Sequence, residues 1–211
     1  MGRGPDHMTS GPSGTVRPSC LTRPPSINGS FGGNQMWTST PLMQNCGCGI
    51  IAGLDAVLRY EGISTLTMDE YLKRFDDAAR YLKPIVLPGS PENPKSFGVS
   101  TLGFKSGIKK LAASRGIPVK AKGFIFDYET KVKKYLEMGV PVVSLIAAPL
   151  NNVSIVNCNG AGSNIGFHWV TCTGIDDRYL EVSSWGGLHR IELSDLDRAS
   201  AGVRFYAVLP L

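Results

Sequence analysis

Apolar positions set the first pattern along the chain. Ile50, Ile51, Leu54, Val57 and Leu58 fall at i, i+1, i+4, i+7 and i+8, the spacing of one buried helix face, and Gly62 closes the segment. A second helix is expected from Thr67, where Glu70 three residues on completes a capping box, to about Arg80. Pro84, Pro88, Pro91 and Pro94 make the next stretch a loop. Residues 100–114 read as a third helix with Leu102, Ile108 and Leu111 inward, ended by Gly116. The period then falls to two. Residues 119–126 alternate as a strand, 130–138 form a short helix and 140–147 an apolar strand. Residues 151–166, rich in Asn, Gly and Ser, read as a loop. Four short strands follow at 167–175, 179–184, 188–193 and 203–209, with turns at Asp176-Asp177 and Gly186-Gly187. Helices lead and strands follow, so the expected class is α+β.

Residues 1–33 carry Pro, Gly, Ser and Thr with few large apolar groups, too little to offset ordering entropy, and read as a flexible tail. Its first eight residues (MGRGPDHM) read as a cloning remnant, and residues 34–211 as a single domain. At 211 residues, 42% apolar and 18% charged, the chain can bury a core of its own. The longest apolar run, 140–150, is broken by Pro141, Ser144 and Pro149, which argues against a membrane span. Twenty-two Lys and Arg against 17 Asp and Glu leave +5, scattered rather than blocked, which argues against nucleic acid as a partner. The opening residues show no charged stretch followed by an apolar one, so a Sec leader is not expected and folding is placed in the cytoplasm.

Candidate chemistry centres on cysteine and histidine. The five cysteines are Cys20, Cys46, Cys48, Cys158 and Cys172, an odd number that argues against a full disulfide framework. Gln44-Asn45-Cys46-Gly47-Cys48-Gly49 opens the first helix, which places Cys46 where exposed N–H groups and the helix dipole stabilise a thiolate. Of the three histidines, His7 lies in the tail and His189 follows a Gly-Gly turn. His168 opens the apolar strand Phe167-His168-Trp169-Val170. A cysteine at a helix start and a histidine at a strand start suit thiol hydrolysis, in which the imidazole takes the thiol proton and returns it to the leaving group. A third group must hold the imidazole tautomer, and the next strand ends in Val182-Ser183-Ser184-Trp185-Gly186 beside it. Cys46 and Cys48 lie about 200° apart on a helix, so they cannot both face one histidine. Cys172 reads as core. Zinc held by Cys46, Cys48, Cys158, Cys172 and His168 fits poorly, because structural sites favour Cys-x2–4-Cys knuckles. No metal and no cofactor is expected.

Asn45-Cys46-Gly47 with an apolar helix ending Leu58-Arg59-Tyr60-Glu61-Gly62 resembles the start of the C39-like group of papain-like cysteine peptidases. His168-Trp169-Val170 with Thr173-Gly174-Ile175-Asp176 is similar to that group's His-aromatic-Val and Thr-Gly-Tyr-Asp stretch, and Ser183-Ser184-Trp185-Gly186 resembles its Asp-Pro-Trp-Gly segment. The likeness spans roughly residues 40–211. It implies a papain-like fold, with the nucleophile helix of an N-terminal helical part packed on a C-terminal antiparallel sheet. It also implies Cys46 as nucleophile, since Gly47 follows it, His168 as base and acid, and Ser183 as the orienting group. Ser183 stands where the family has Asn or Asp. Thr40 stands where the family's oxyanion Gln falls, leaving Gln44, with Gln35 further off, to join the Cys46 backbone N–H in the oxyanion hole.

The leading expectation is a cysteine peptidase that cleaves peptide or isopeptide bonds of a protein or peptide substrate through a covalent thioester. Two other readings stay open: an acyl or peptidyl transferase, and a catalytically silent binding domain on the same fold. The Pro/Gly/Ser tail would suit an effector or toxin domain exported by a dedicated secretion machine and met by an inhibitor or immunity protein.

Overall fold

The computed structural model describes residues 23–86, 96–149 and 153–211. The expectations for residues 1–22, with the remnant, His7 and Cys20, and for the loop prolines Pro88, Pro91 and Pro94 lie outside the described residues. Among the described residues there are six α-helices: α1 (Pro41–Cys46), α2 (Cys48–Tyr60), α3 (Met68–Ala79), α4 (Thr101–Ser114), α5 (Tyr128–Glu137) and α6 (Leu193–Arg198). The first strands are short: β1 (Ser26–Ile27), β2 (Ser30–Phe31), β3 (Thr65–Leu66), β4 (Ile85–Val86) and β5 (Ser96–Phe97). The long ones are β6 (Val119–Phe124), β7 (Val142–Ala147), β8 (Val153–Asn157), β9 (Gly162–Ile165), β10 (Phe167–Ile175), β11 (Tyr179–Ser184), β12 (Gly187–Glu192) and β13 (Val203–Pro210).

The long strands form one antiparallel sheet in the order β6-β13-β7-β10-β11-β12-β8-β9. Alternation along each strand builds two cores from it. Val143, Leu145, Trp169 and Tyr206 pack under α2 and α4, and Val142, Ile146, Val170 and Cys172 pack on the other face with Val132 and Leu136 of α5. The chain is therefore a mixed α and β protein, with helices on both faces of the sheet. Among the described residues no helix is long and apolar enough to cross a membrane.

Local signals account for the helices. Thr67 accepts from the Glu70 N–H and Glu70 accepts from the Thr67 N–H, the reciprocal cap expected at the head of α3. Ser100 caps α4 through the Gly103 N–H. In α4 the buried stripe is Phe104, Ile108 and Leu111, whereas Leu102 is 77% exposed. Leu102 lies about 200° round the helix from Phe104, so the inward assignment of Leu102 is corrected. At their C-terminal ends α2, α3 and α4 are joined by charge: Arg115 reaches Glu61 at 3.1 Å and Asp77 at 3.0 Å, and Arg74 reaches Glu61 at 2.8 Å.

Two stretches read as unstructured are ordered. Within 151–166, β8 and β9 form a hairpin with Val153 opposite Ile165. The Asn and Gly content belongs to its turn, where the Asn157 side chain accepts from the N–H groups of Asn159 and Ala161. Residues 23–33, assigned to the tail, include β1 and β2, and β1 pairs in parallel with β3. Ile27 is fully buried in the α2–α3–α4 core, one apolar anchor among polar neighbours.

Candidate active site

The long helix starts later than expected. Thr40 caps α1 and Pro41 occupies its first turn, where a missing N–H costs nothing. Gly47 ends α1, its N–H donating to the Met43 carbonyl at 2.8 Å, and it also begins α2, its carbonyl accepting from Ile50 and Ile51 at 3.0 Å. A Cβ on Gly47 would lie 2.4 Å from the Met43 carbonyl oxygen, so the junction needs glycine. Cys46 is thus the last residue of α1, and Cys48 heads α2.

Cys48 lies in the wall of a cavity of about 10 Å³, room for about one water, together with Gly33, Gln35, His168, Ser183 and Ser184. Cys46 and Gln44 are not in that wall. The backbone N–H groups of Trp169 and Gly49 favour a Cys48 thiolate, but burial outweighs them and pushes the thiol up to about 11. A charge on the nearby Cys46 would oppose one on Cys48.

His168, second residue of β10, is buried, and its Nε2 lies 2.6 Å from Ser184 Oγ. Its ring stacks on Trp185 with centroids 4.5 Å apart. Trp185 and Gly186 form a two-residue turn between β11 and β12, both in the left-handed region at φ 49° and 75°. That conformation, uncommon for a non-glycine residue, holds the indole over the imidazole. Burial, with a smaller push from His189, lowers His168 to about 4, so the imidazole is neutral near pH 7.

Ser183 donates instead to the Phe31 carbonyl at 2.9 Å. Neighbours on a strand face opposite ways, so the hydroxyl at the imidazole is that of Ser184, one residue on from Ser183. Gln44 donates to the Thr38 carbonyl at 2.8 Å, and its own carbonyl accepts from Gln35. The amide in the cavity wall is therefore that of Gln35. Of the residues given roles from sequence, the cavity gathers His168 and Ser183 but not Cys46 or Gln44, and it also holds Cys48, Ser184 and Gln35. Cys172 is buried in the second core, and Cys158 is exposed.

No family model matches the chain and no curated protein matches it. Among solved structures it is similar to a Bacillus anthracis protein named as a candidate C39-like peptidase. The identity is 16% and the TM-score 0.48, over 82% of this chain and 92% of that one. Identity this low leaves any activity to be read from the site itself.

Proposed function

We propose that the chain is a papain-like cysteine hydrolase acting on peptide or isopeptide bonds, with Cys48 as nucleophile in place of Cys46. The observation that carries this reading is one cavity shared by a helix-heading thiol and an imidazole whose far nitrogen meets a hydroxyl. With Nε2–H donating to Ser184 Oγ, the lone pair rests on Nδ1, ready to act as base. As the Cys48 sulfur attacks the carbonyl carbon, its proton passes to His168 Nδ1 and an S–C bond forms. The oxyanion is met by the Cys48 backbone N–H and the Gln35 amide. Collapse breaks the C–N bond, the amine leaves with the proton held by His168, and water attacking through the same imidazole hydrolyses the thioester. Thiol and imidazole are both neutral at rest, so the proton moves during attack rather than before it.

The small cavity favours a second reading, a silent binding domain, because no acyl group fits beside Cys48 in this state. A diverse peptide library scored for cleavage, with an iodoacetamide labelling map of each cysteine, separates the two. The hydrolase reading expects Cys48→Ala to lower turnover by at least about a thousandfold and Cys46→Ala by less than about tenfold. The reverse ranking returns the nucleophile to Cys46. No turnover, with slow and equal labelling of Cys46 and Cys48, leaves the binding domain.

A further inference from the structure

Asp55 has no part in that chemistry, yet it is the buried carboxyl of the helix that Cys48 heads. Its Oδ1 accepts from the Tyr71 hydroxyl of α3 at 2.8 Å, and its Oδ2 accepts from the Gly33 N–H at 3.2 Å. Gly33 belongs to residues 31–35, a strap across the catalytic cavity that supplies two of its wall residues, Gly33 and Gln35. The strap is fastened on the sheet side too. Ser183 Oγ donates to the Phe31 carbonyl, Phe31 N–H to Gly186 O and Gly186 N–H to Gly33 O, each within 3.0 Å. The fit is tight: a Cβ on Gly32 (φ 72°) would lie 2.3 Å from Ser183 Oγ and 2.7 Å from Asp55 Oδ2. A Cβ on Gly33 would lie 1.9 Å from the Tyr71 hydroxyl. Elsewhere the segment is held by strands of two residues, by the Gly32 N–H donating to the Pro25 carbonyl and by the Gln35 amide donating to the Gln44 carbonyl.

We propose that Asp55 is a positioning residue that latches this strap over Cys48, so that the thiol becomes accessible when the Asp55–Gly33 contact lets go. The latch deepens the hydrolase reading, because it states what must move before a substrate carbonyl can reach the sulfur. Ionisation of Asp55 biases it. Burial raises the carboxyl to about 7, against the opposing pull of the Tyr71 hydroxyl and the Gly33 N–H. Tyr71 is the titratable side chain facing it from α3, the strap presents backbone, and β11 presents the Ser183 hydroxyl. Once the strap lifts, water reaches Asp55 and the carboxyl returns toward its ordinary value near 4. The closed strap therefore binds a proton that the open one releases. Its advantage is complete below about pH 4 and drains away as pH rises through about 7.

Iodoacetamide labelling of Cys48 in a Cys46→Ser background, followed peptide by peptide across pH 5 to 8, reads both titrations. Thiolate formation alone raises the rate about tenfold per pH unit. Opening linked to Asp55 adds up to about tenfold per unit below pH 7. The chain with Asp55 intact should therefore climb with a log–log slope approaching two up to about pH 7 and of one beyond it. Asp55→Asn keeps the shape and loses the titration, so its slope should be one throughout. Tyr71→Phe removes a donor to the carboxylate and should carry the steep limb above pH 7, a check that stands if Asp55→Asn folds poorly. Superimposed slopes with and without the Asp55→Asn substitution, or a Tyr71→Phe break that does not move, overturn the latch. Turnover that survives Cys48→Ala overturns Cys48 as the nucleophile instead, and neither outcome entails the other.

Discussion

His168 carries the sharpest consequences at the scale of single residues. Its imidazole is held neutral by burial, so acid must force a proton into a closed cavity. The folded value, about 4, lies below the ordinary 6.5, so the contribution is whole above pH 6.5 and is lost as pH falls through 4. Asp55 drifts the opposite way over part of that range, so the comparison to make is between chains. The stability difference between wild type and His168→Gln, from urea melts, should shrink by about 3 kcal/mol between pH 7 and pH 4. Ser184→Ala should lower kcat about tenfold with little change in KM, since it frees the imidazole to turn. Ser183→Ala should instead cost about 1 kcal/mol of stability by releasing Phe31. Kinetics and melts on both serine variants check this, and equal kinetic losses would make the one-residue distinction meaningless. His168 was legible in the sequence as a histidine opening an apolar strand. Ser184 was not, because two adjacent hydroxyls differ only in strand face, and the face follows from where the hairpin turns. The sequence suggested Gly186-Gly187 for that turn, and Trp185-Gly186 makes it.

Among the elements, the tandem of α1 and α2 decides which cysteine lines the cavity that His168 also lines. The apolar period of α2 was plain from Ile50 to Leu58, although the fold covers the helix all round, every residue from Cys48 to Leu58 being buried. Its start was not, because Gly47 serves as the end of one helix and the beginning of the next, and a six-residue helix has too few positions to show a period. Thr40 and Pro41 were the available signs, a cap followed by a first-turn proline. Gly47→Ala should push the Met43 carbonyl aside and cost about 1–3 kcal/mol. The loss of Cys48 reactivity should exceed what the melting shift explains, which labelling and calorimetry on one sample would show. The hairpin β8–β9 was hidden for a related reason: the polar composition of its turn masked the alternation of Val153 and Ile155.

Over the whole molecule, the mixture of helix and strand and the order of most elements were readable, since period and caps are local properties. The three-helix charge hub was not, because Glu61, Arg74, Asp77 and Arg115 are ordinary surface types until the fold brings them together. Arg115→Met should cost about 2–3 kcal/mol, less than a fully buried pair because Asp77 remains partly wet. A chemical melt in low and high salt checks it, with the gap narrowing as salt rises. The strap bears on a different matter, the order of events during synthesis. Phe31 is bonded to Ser183 and Gly186, partners more than 150 positions away, so the roof of the cavity is made long before the hairpin that holds it. Loops that long close slowly, and their closure follows the local helices. On a ribosome, the chain would expose an unroofed Cys48 until β11 and β12 emerge, a period in which thiol oxidation or capture by a chaperone competes with folding.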